Sequence, residues 1–369
     1  MTGPFEGAGR LRTTAGAVTT LGVGALLALT ACSGSGSPST TATTGTTATP
    51  AHSPVALSSG PASGLEEQYQ QVIQTVLPSV VQINTDTGTG SGVVYDSNGD
   101  IVTNAHVVGD ATNVQVFPAT GGETLQAKVL GTFTADDLAV IRVTSGTGSL
   151  PKATFGNSTN VTAGQIVLAM GNPLGLTGSV TQGIISATGR TVSEAGAAGG
   201  GSVTIADALQ TSAAINGGNS GGALVNLAGQ VIGIPTAAAR DPEAGAAPGI
   251  GFAIPSDVVT NIADQLISTG KVTQSSRAAL GITGHTTVTS DGQPAGVAIS
   301  TVMAGGAAAE AGLQAGDIIT KLAGHETPTQ GVLTAILANL KPGQQVELTY
   351  TRSGVSHTTK VKLGHLTSS

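Results

Sequence analysis

A chain of 369 residues has room for two or three domains. Only 9% of its residues are charged and the formal net charge is -7, which excludes the basic stripe of a nucleic-acid-binding surface. A single cysteine excludes an internal disulfide framework and a cysteine-built zinc site, no cofactor or metal is expected, and aromatics at 2% leave the core to Val, Ile, Leu and Ala.

In chain order, Arg10 and Arg12 form a positive region ahead of Ala15–Ala31, an apolar stretch diluted by threonine. That stretch is too short and too rich in Thr and Gly for a transmembrane helix. It ends in Leu29-Thr30-Ala31-Cys32 followed by Ser33-Gly34-Ser35, which resembles a bacterial lipobox. The sole cysteine falling there predicts a signal segment over residues 1–32 with Cys32 lipidated. A signal anchor with an accidental cysteine is the second reading. Acyl burial, at about 0.8 kcal/mol per CH₂, tethers a protein to a membrane without spanning it. Residues 33–64 are Ser, Thr, Gly, Ala and Pro with almost nothing large, so they read as a disordered stalk.

Helical spacing of Leu65, Tyr69, Val72, Ile73 and Val76 predicts a helix over Leu65–Leu77, stopped by Pro78. Short strand-like runs then dominate: Ser79–Asn84, Gly92–Tyr95, Ile101–Thr103, Val114–Phe117, Leu125–Leu130 and Leu138–Val143. A second group comprises Gln165–Met170, Val180–Ala187, Ala208–Ser212, Ala223–Leu227, Val231–Ile234 and Gly251–Ile254. Two groups of about six predict two β-barrels within 65–270. Ser256 is expected to cap a helix that ends at Gly270. The polar segment 271–278 reads as a linker. The unit 279–366 mixes strands at Gly296–Val302, Gln345–Thr351 and Thr359–Leu363 with a helix near Gln330–Leu340, whose apolar face is Val332, Leu333, Ile336, Leu337 and Leu340.

Within the second group, residues 215–223 read I-N-G-G-N-S-G-G-A. Gly and Asn here suit a plain turn. They also suit a backbone that presents N–H groups to developing negative charge beside a nucleophile, Ser220. A serine needs a base. Of six histidines only His106 falls in the strand-rich region. The acid that orients it is expected at the entrance of the apolar run after Asp136-Asp137; Asp137 adjoins the strand, and Asp136 is the alternative. The order His106, Asp137, Ser220 is that of chymotrypsin rather than of subtilisin or the α/β-hydrolases. It takes His and Asp from the first group and Ser from the second.

These residues resemble the HtrA/Deg family of serine proteases with one C-terminal PDZ domain. The resemblance runs through Gly90-Ser91-Gly92-Val93-Val94, Thr103-Asn104-Ala105-His106-Val107-Val108, Asp137-Leu138-Ala139-Val140-Ile141 and Ala169-Met170-Gly171-Asn172-Pro173. It continues through Gln182–Ala187, Gln210–Asn216, Gly218-Asn219-Ser220-Gly221-Gly222 and Gly249–Pro255, and in all covers roughly 65–366. It implies a mainly β protein, a chymotrypsin-like double β-barrel followed by an α+β PDZ domain. Ser220 would attack, His106 would shuttle the proton, Asp137 would hold the imidazole, and the N–H groups of Gly218 and Ser220 would bind the oxyanion. Ala279-Leu280-Gly281-Ile282 resembles the PDZ carboxylate loop, so Leu280, Gly281 and Ile282 are expected to take a peptide C-terminus.

The chain departs from the family pattern at Ser212, where Asp is usual, at Gly217, and at Pro235, where Asn is frequent. These positions lie in the loops that shape the oxyanion hole and specificity pocket. Between Asn84 and Gly90 there is no room for the long clasp loop of some members. Thr191–Ile205 matches the family's sensor loop by position. Ala213-Ala214-Ile215 and Val231–Thr236 are expected to line the pocket for the residue before the cut. They hold no carboxylate, which predicts cleavage after small or medium aliphatic residues. The expected function is a lipid-anchored extracytoplasmic serine endopeptidase acting on misfolded proteins, as a homotrimer by family resemblance. A chaperone that holds clients without cutting is the alternative.

Overall fold

A computed structural model of the chain describes residues 61–86, 88–146, 150–172, 178–194, 203–241 and 245–368. The lipobox with Cys32, nearly all of the stalk, and the middle of the Thr191–Ile205 segment lie outside the described residues.

Helix α1 (Pro61–Val76) starts four residues earlier than its apolar spacing indicates, and Pro78 falls inside a 3₁₀ turn, Leu77–Ser79. Strands β1 (Val80–Asn84), β2 (Thr89–Val94) and β3 (Asp100–Thr103), the one-turn helix α2 (Ala105–Val108), and strands β4 (Asn113–Pro118), β5 (Leu125–Phe133) and β6 (Leu138–Val143) follow. The strands close into a barrel of order β1-β2-β3-β6-β5-β4 with β4 paired to β1.

The second group is β7 (Thr154–Phe155), β8 (Ile166–Gly171), β9 (Ser179–Glu194), β10 (Val203–Thr211), β11 (Ala223–Asn226), β12 (Gln230–Asp241) and β13 (Gly245–Pro255). Their order is β11-β8-β9-β10-β13-β12-β7, and a β11–β12 pairing joins the first strand of that order to the next-to-last. The two-residue strand β7, parallel to β12, has no hydropathy signal in the sequence.

The near-continuous apolar runs have a physical reason. Successive strand residues face opposite sides, and here both sides are buried. On β1, Val81 and Ile83 fill the first barrel while Val80 turns to a core shared between the barrels. On β8, Val167 and Ala169 fill the second barrel while Leu168 and Met170 join the shared core. Helix α3 (Ser256–Thr269) adds Val259, Ile262 and Leu266 to it. Pro255, not Ser256, occupies the N-cap of α3; the Ser256 hydroxyl instead donates to Gly156 O at 2.7 Å. Gly270 ends the helix in the left-handed region at φ 72°, as its position indicates.

Segment 271–278 is not a free tether. Val272, Ser275 and Arg277 are buried. The C-terminal residues hold it as a partner strand would. Ser275 Oγ donates to Leu366 O at 2.7 Å, Leu366 N to Arg277 O at 2.8 Å, and Ser368 N to Val272 O at 2.7 Å. Hydropathy could not show this, because polar residues here spend their groups on backbone bonds.

The C-terminal unit runs β14 (Ala278–Ala279), β15 (Ile282–Val288), β16 (Pro294–Val302), α4 (Ala307–Glu310), β17 (Ile318–Leu322), β18 (His325–Glu326), α5 (Gln330–Ala338), β19 (Gln345–Arg352), β20 (Val355–Lys362) and β21 (Gly364–His365). Its main sheet has the order β15-β16-β17-β19-β20, and β14 pairs with β21. Strand β15 is an edge with few buried side chains, which hid it from a reading based on alternation. On α5 Leu333 enters the core, whereas Val332, expected on the apolar face, is 37% exposed.

Candidate active site

Strands β3 and β6 pair with Thr103 opposite Ala139, so the residues just after β3 and just before β6 are neighbours. One neighbour is α2, which carries His106; the other is Asp137. Asp137 follows a 3₁₀ turn, Thr134–Asp136, in the left-handed region at φ 51°, a conformation that Asp tolerates better than most residues. Both ends of Asp137 hold α2. Its carbonyl accepts Ala105 N at 3.1 Å and Asn104 Nδ2 at 3.0 Å, and its Oδ1 accepts the His106 backbone N–H at 2.9 Å. Its Oδ2 lies 2.7 Å from His106 Nδ1. Asp137 is 4% exposed while the His106 side chain is 46% exposed, so a fixed carboxylate sits behind an accessible imidazole.

Asp136, the alternative acid, points elsewhere. Its Oδ1 accepts Arg277 Nη1 at 3.2 Å, and the same nitrogen donates to Ala135 O and Thr204 O. Burial pushes the Asp136 carboxyl above the usual range, against the pull of Arg277.

Ser220 comes from the loop between β10 and β11 and is 6% exposed. Its hydroxyl donates towards Asn216 O at 3.3 Å and Thr236 O at 3.5 Å. Thr236, on β12, ties the serine to the acid, because its own hydroxyl donates to Asp137 Oδ2. The glycines of this loop divide by role. A Cβ on Gly221, at φ 81°, would strike Ser91 O and Thr103 Oγ1 of the first barrel, and one on Gly222 would strike Met170 O of β8. Those two are glycine so that the loop can press against both barrels. A Cβ on Gly217 would meet nothing within 4 Å. The Gly218 N–H, expected to bind an oxyanion, here donates to Asn216 Oδ1 at 3.0 Å. Gly218 O accepts from Ser91 Oγ at 2.7 Å.

The expected pocket lining needs revision. Ala213, Val231, Ile232 and Ile234 are fully buried core residues and cannot face a substrate. Ile215 is partly buried and packs against Gly251, next to Ile250, which is 39% exposed. The sequence marks no role for Ser91, Asn216 or Arg277, and it places Thr236 only in the expected pocket lining, not beside Asp137. Ser91 lies in the Gly90–Val94 motif, and Arg277 is a rare charge in the polar segment 271–278.

In the C-terminal unit Leu280 is buried, Gly281 adopts φ 71°, and Ile282 opens β15. Met303 N donates to Gly281 O at 2.9 Å and Ala308 N to Leu280 O at 2.8 Å, which fixes the loop. The loop borders a cavity of about 510 Å³ whose walls include Ile282, Val297, Leu333 and Leu337. At the end of α5, Asn339 Oδ1 accepts Thr191 Oγ1 of β9 at 2.8 Å, so the wall of this cavity touches the hairpin of the second barrel.

A family model described as a trypsin-like peptidase domain matches residues 90–234, and one described as a PDZ domain matches 278–363. The chain is 41% identical over 340 residues to the serine protease PepD of Mycobacterium tuberculosis, covering 86% of this chain and 71% of that protein. It is 41% identical over 294 residues to a serine protease Do-like HtrA of Lactobacillus helveticus, covering 74% and 68%. Among solved structures it is similar to a serine endoprotease from Yersinia pestis, with a TM-score of 0.53 at 33% identity over 81% of this chain and 98% of that one. An HtrA-type protease AlgW bound to a decapeptide gives a TM-score of 0.53 at 30% identity, again over 81% and 98%.

Proposed function

This chain belongs to the HtrA family of trypsin-like serine proteases, and on that premise we propose that it cuts unfolded proteins outside the cytoplasm with His106, Asp137 and Ser220. That it is a serine endopeptidase follows from the family. The observation that carries the residue assignment is the Asp137 carboxylate. It is buried, accepts His106 Nδ1 at 2.7 Å and the His106 N–H at 2.9 Å, and is linked through Thr236 to the Ser220 loop.

These contacts support a general-base role for the imidazole. Asp137 on Nδ1 leaves Nε2 as the basic nitrogen and stabilises the imidazolium that forms. The imidazole takes the Ser220 proton as Oγ attacks the scissile carbonyl, then returns it to the leaving amine. The negative charge on the carbonyl oxygen falls to the Ser220 N–H and, once Asn216 Oδ1 has let go, to the Gly218 N–H. A donor of this kind is worth about 2.7–4 kcal/mol in the transition state.

Recognition of a peptide C-terminus by Leu280–Ile282 is supported by the position of that loop at the mouth of an apolar cavity. Location outside the cytoplasm is supported by the signal-like start of the chain and by relatives named periplasmic. Lipidation of Cys32 and a homotrimer complete the proposal. Client holding without cleavage has one observation in its favour, the engaged Gly218 N–H. Unfolded casein incubated with the chain and with Ser220→Ala separates the two readings. Fragments from the first and none from the second are expected, and intact casein with both would favour holding.

A further inference from the structure

Ser91 lies in the middle of β2 and is fully buried, so it touches no substrate. All of its polar groups are nonetheless directed at the site. Its hydroxyl donates to Gly218 O at 2.7 Å and accepts Asn172 N at 2.8 Å, its N–H donates to Ser220 O at 2.9 Å, and its carbonyl accepts Thr103 Oγ1 at 2.7 Å. Its neighbours make this approach possible. A Cβ on Gly90 would meet Val107 Cγ2 at 2.5 Å, and one on Gly92 would meet Ile101 Cγ2 at 2.7 Å. Two glycines therefore let the strand sink between α2 and the first-barrel core.

Peptide planarity gives these bonds a consequence for catalysis. Gly218 O fixes the plane that also holds Asn219 N–H, which donates to Asn216 O at 3.2 Å. Ser220 O fixes the plane that holds Gly221 N–H, which donates to Pro235 O at 2.9 Å. The plane between them, Asn219 C=O with Ser220 N–H, is held by Gly222 N donating to Asn219 O at 3.0 Å. The direction of the Ser220 N–H is thus set by Gly222 on its own plane and by the two neighbouring planes, and Ser91 holds both neighbours.

We propose that Ser91 is a positioning residue for the reaction: from the first barrel, its hydroxyl and N–H orient the oxyanion-binding backbone of the Gly218–Ser220 loop in the second. This rests on the assignment of Ser220 as nucleophile. Without the hydroxyl, Gly218 O and Asn172 N lose their shared partner, and the loop is free to turn its donors from the oxyanion.

The test uses the full chain and Ser91→Ala, a fluorogenic peptide with an aliphatic residue before the cut, and a peptide boronic acid as transition-state analogue. Ser256→Ala is the control, since it removes an equally buried hydroxyl that donates to a carbonyl at 2.7 Å away from the site. Ser91→Ala is expected to lower kcat by about tenfold to hundredfold, with KM within twofold of wild type. Boronate affinity should fall by the same factor as kcat/KM. Ser256→Ala should keep kcat and boronate affinity at a similar loss of stability. Ser91→Cys, a weaker donor of nearly the same size, should fall between serine and alanine, and it decides the matter if the alanine variant does not fold. Wild-type kcat and boronate affinity in Ser91→Ala, or losses no larger than in Ser256→Ala, would overturn the proposal. No cleavage by the wild-type chain would instead overturn the nucleophile assignment on which it stands.

Discussion

Replacing Arg277 by methionine removes a guanidinium that is 6% exposed from a carboxylate, Asp136, that is 3% exposed. Arg277 Nη1 also serves Ala135 O and Thr204 O, so one substitution unties the turn before Asp137, strand β10 and the segment leading into the C-terminal unit. Methionine fills most of the volume, so packing changes little; the cost is the stranded carboxylate. Removing one member of a buried pair costs about 3–5 kcal/mol. At roughly 2–4 °C per kcal/mol for a domain of 150–250 residues, the thermal midpoint should drop by roughly 6–20 °C. The pH dependence follows from the carboxyl that remains. Burial already holds Asp136 above its ordinary value. A group with a raised folded pKa binds its proton longer in the native state, so stability falls as pH rises from the ordinary carboxylate range, near 3.9, up to the raised value. Losing Arg277 widens that window. The double variant Asp136→Asn/Arg277→Met, with no carboxyl left to titrate, should remove that window and recover part of the loss. Denaturant unfolding at pH 4.5 and 7 compares the wild type with both variants. A loss below about 1 kcal/mol in Arg277→Met, or a double variant no more stable than the single, would show that Asp136 does not depend on Arg277.

Three further outcomes are expected. Gly171→Ala places a Cβ 2.5 Å from Asn219 Cα and 2.6 Å from Gly218 O, so it should abolish peptide cleavage and cost about 1–3 kcal/mol; full activity would show that the loop can retreat. Asp317 is held below the ordinary carboxylate range, first by its bond from Arg352 at 2.7 Å. Its stabilising contribution is therefore present above the unfolded value and lost as pH falls through the folded one, and Arg352→Ala should flatten that acid limb in denaturant midpoints measured from pH 5 to 2.5. Mass-spectrometric mapping of casein cut sites should show mainly Val, Ala, Ile or Leu before the cut; predominance of Lys or Arg would contradict the apolar environment of Ile215 and Gly251.

Much of the architecture was legible because burial on both faces writes itself as Val/Ile/Leu runs. Strands such as Leu138–Val143 could be read to the residue, and the chain order of His106, Asp137 and Ser220 named a type of site before any geometry. What stayed hidden was carried by hydrogen bonds rather than hydropathy. The edge strand β15 buries little, Ser256 spends its hydroxyl on Gly156 rather than on a cap, and segment 271–278 packs through bonds to Leu366 and Ser368. The division of labour in the glycine loop was also beyond the sequence. Gly221 and Gly222 answer to backbone atoms of Ser91 and Met170, far away in the chain.

In the proposed mechanism His106, held by Asp137, activates Ser220. A fluorophosphonate that reacts with activated serines tests it most directly, with the modified residue located by peptide mass spectrometry. One label per chain is expected, on Ser220, abolished by His106→Ala and strongly slowed by Asp137→Asn. A label on another residue, or labelling of Ser220 that persists at the wild-type rate in His106→Ala, would contradict it.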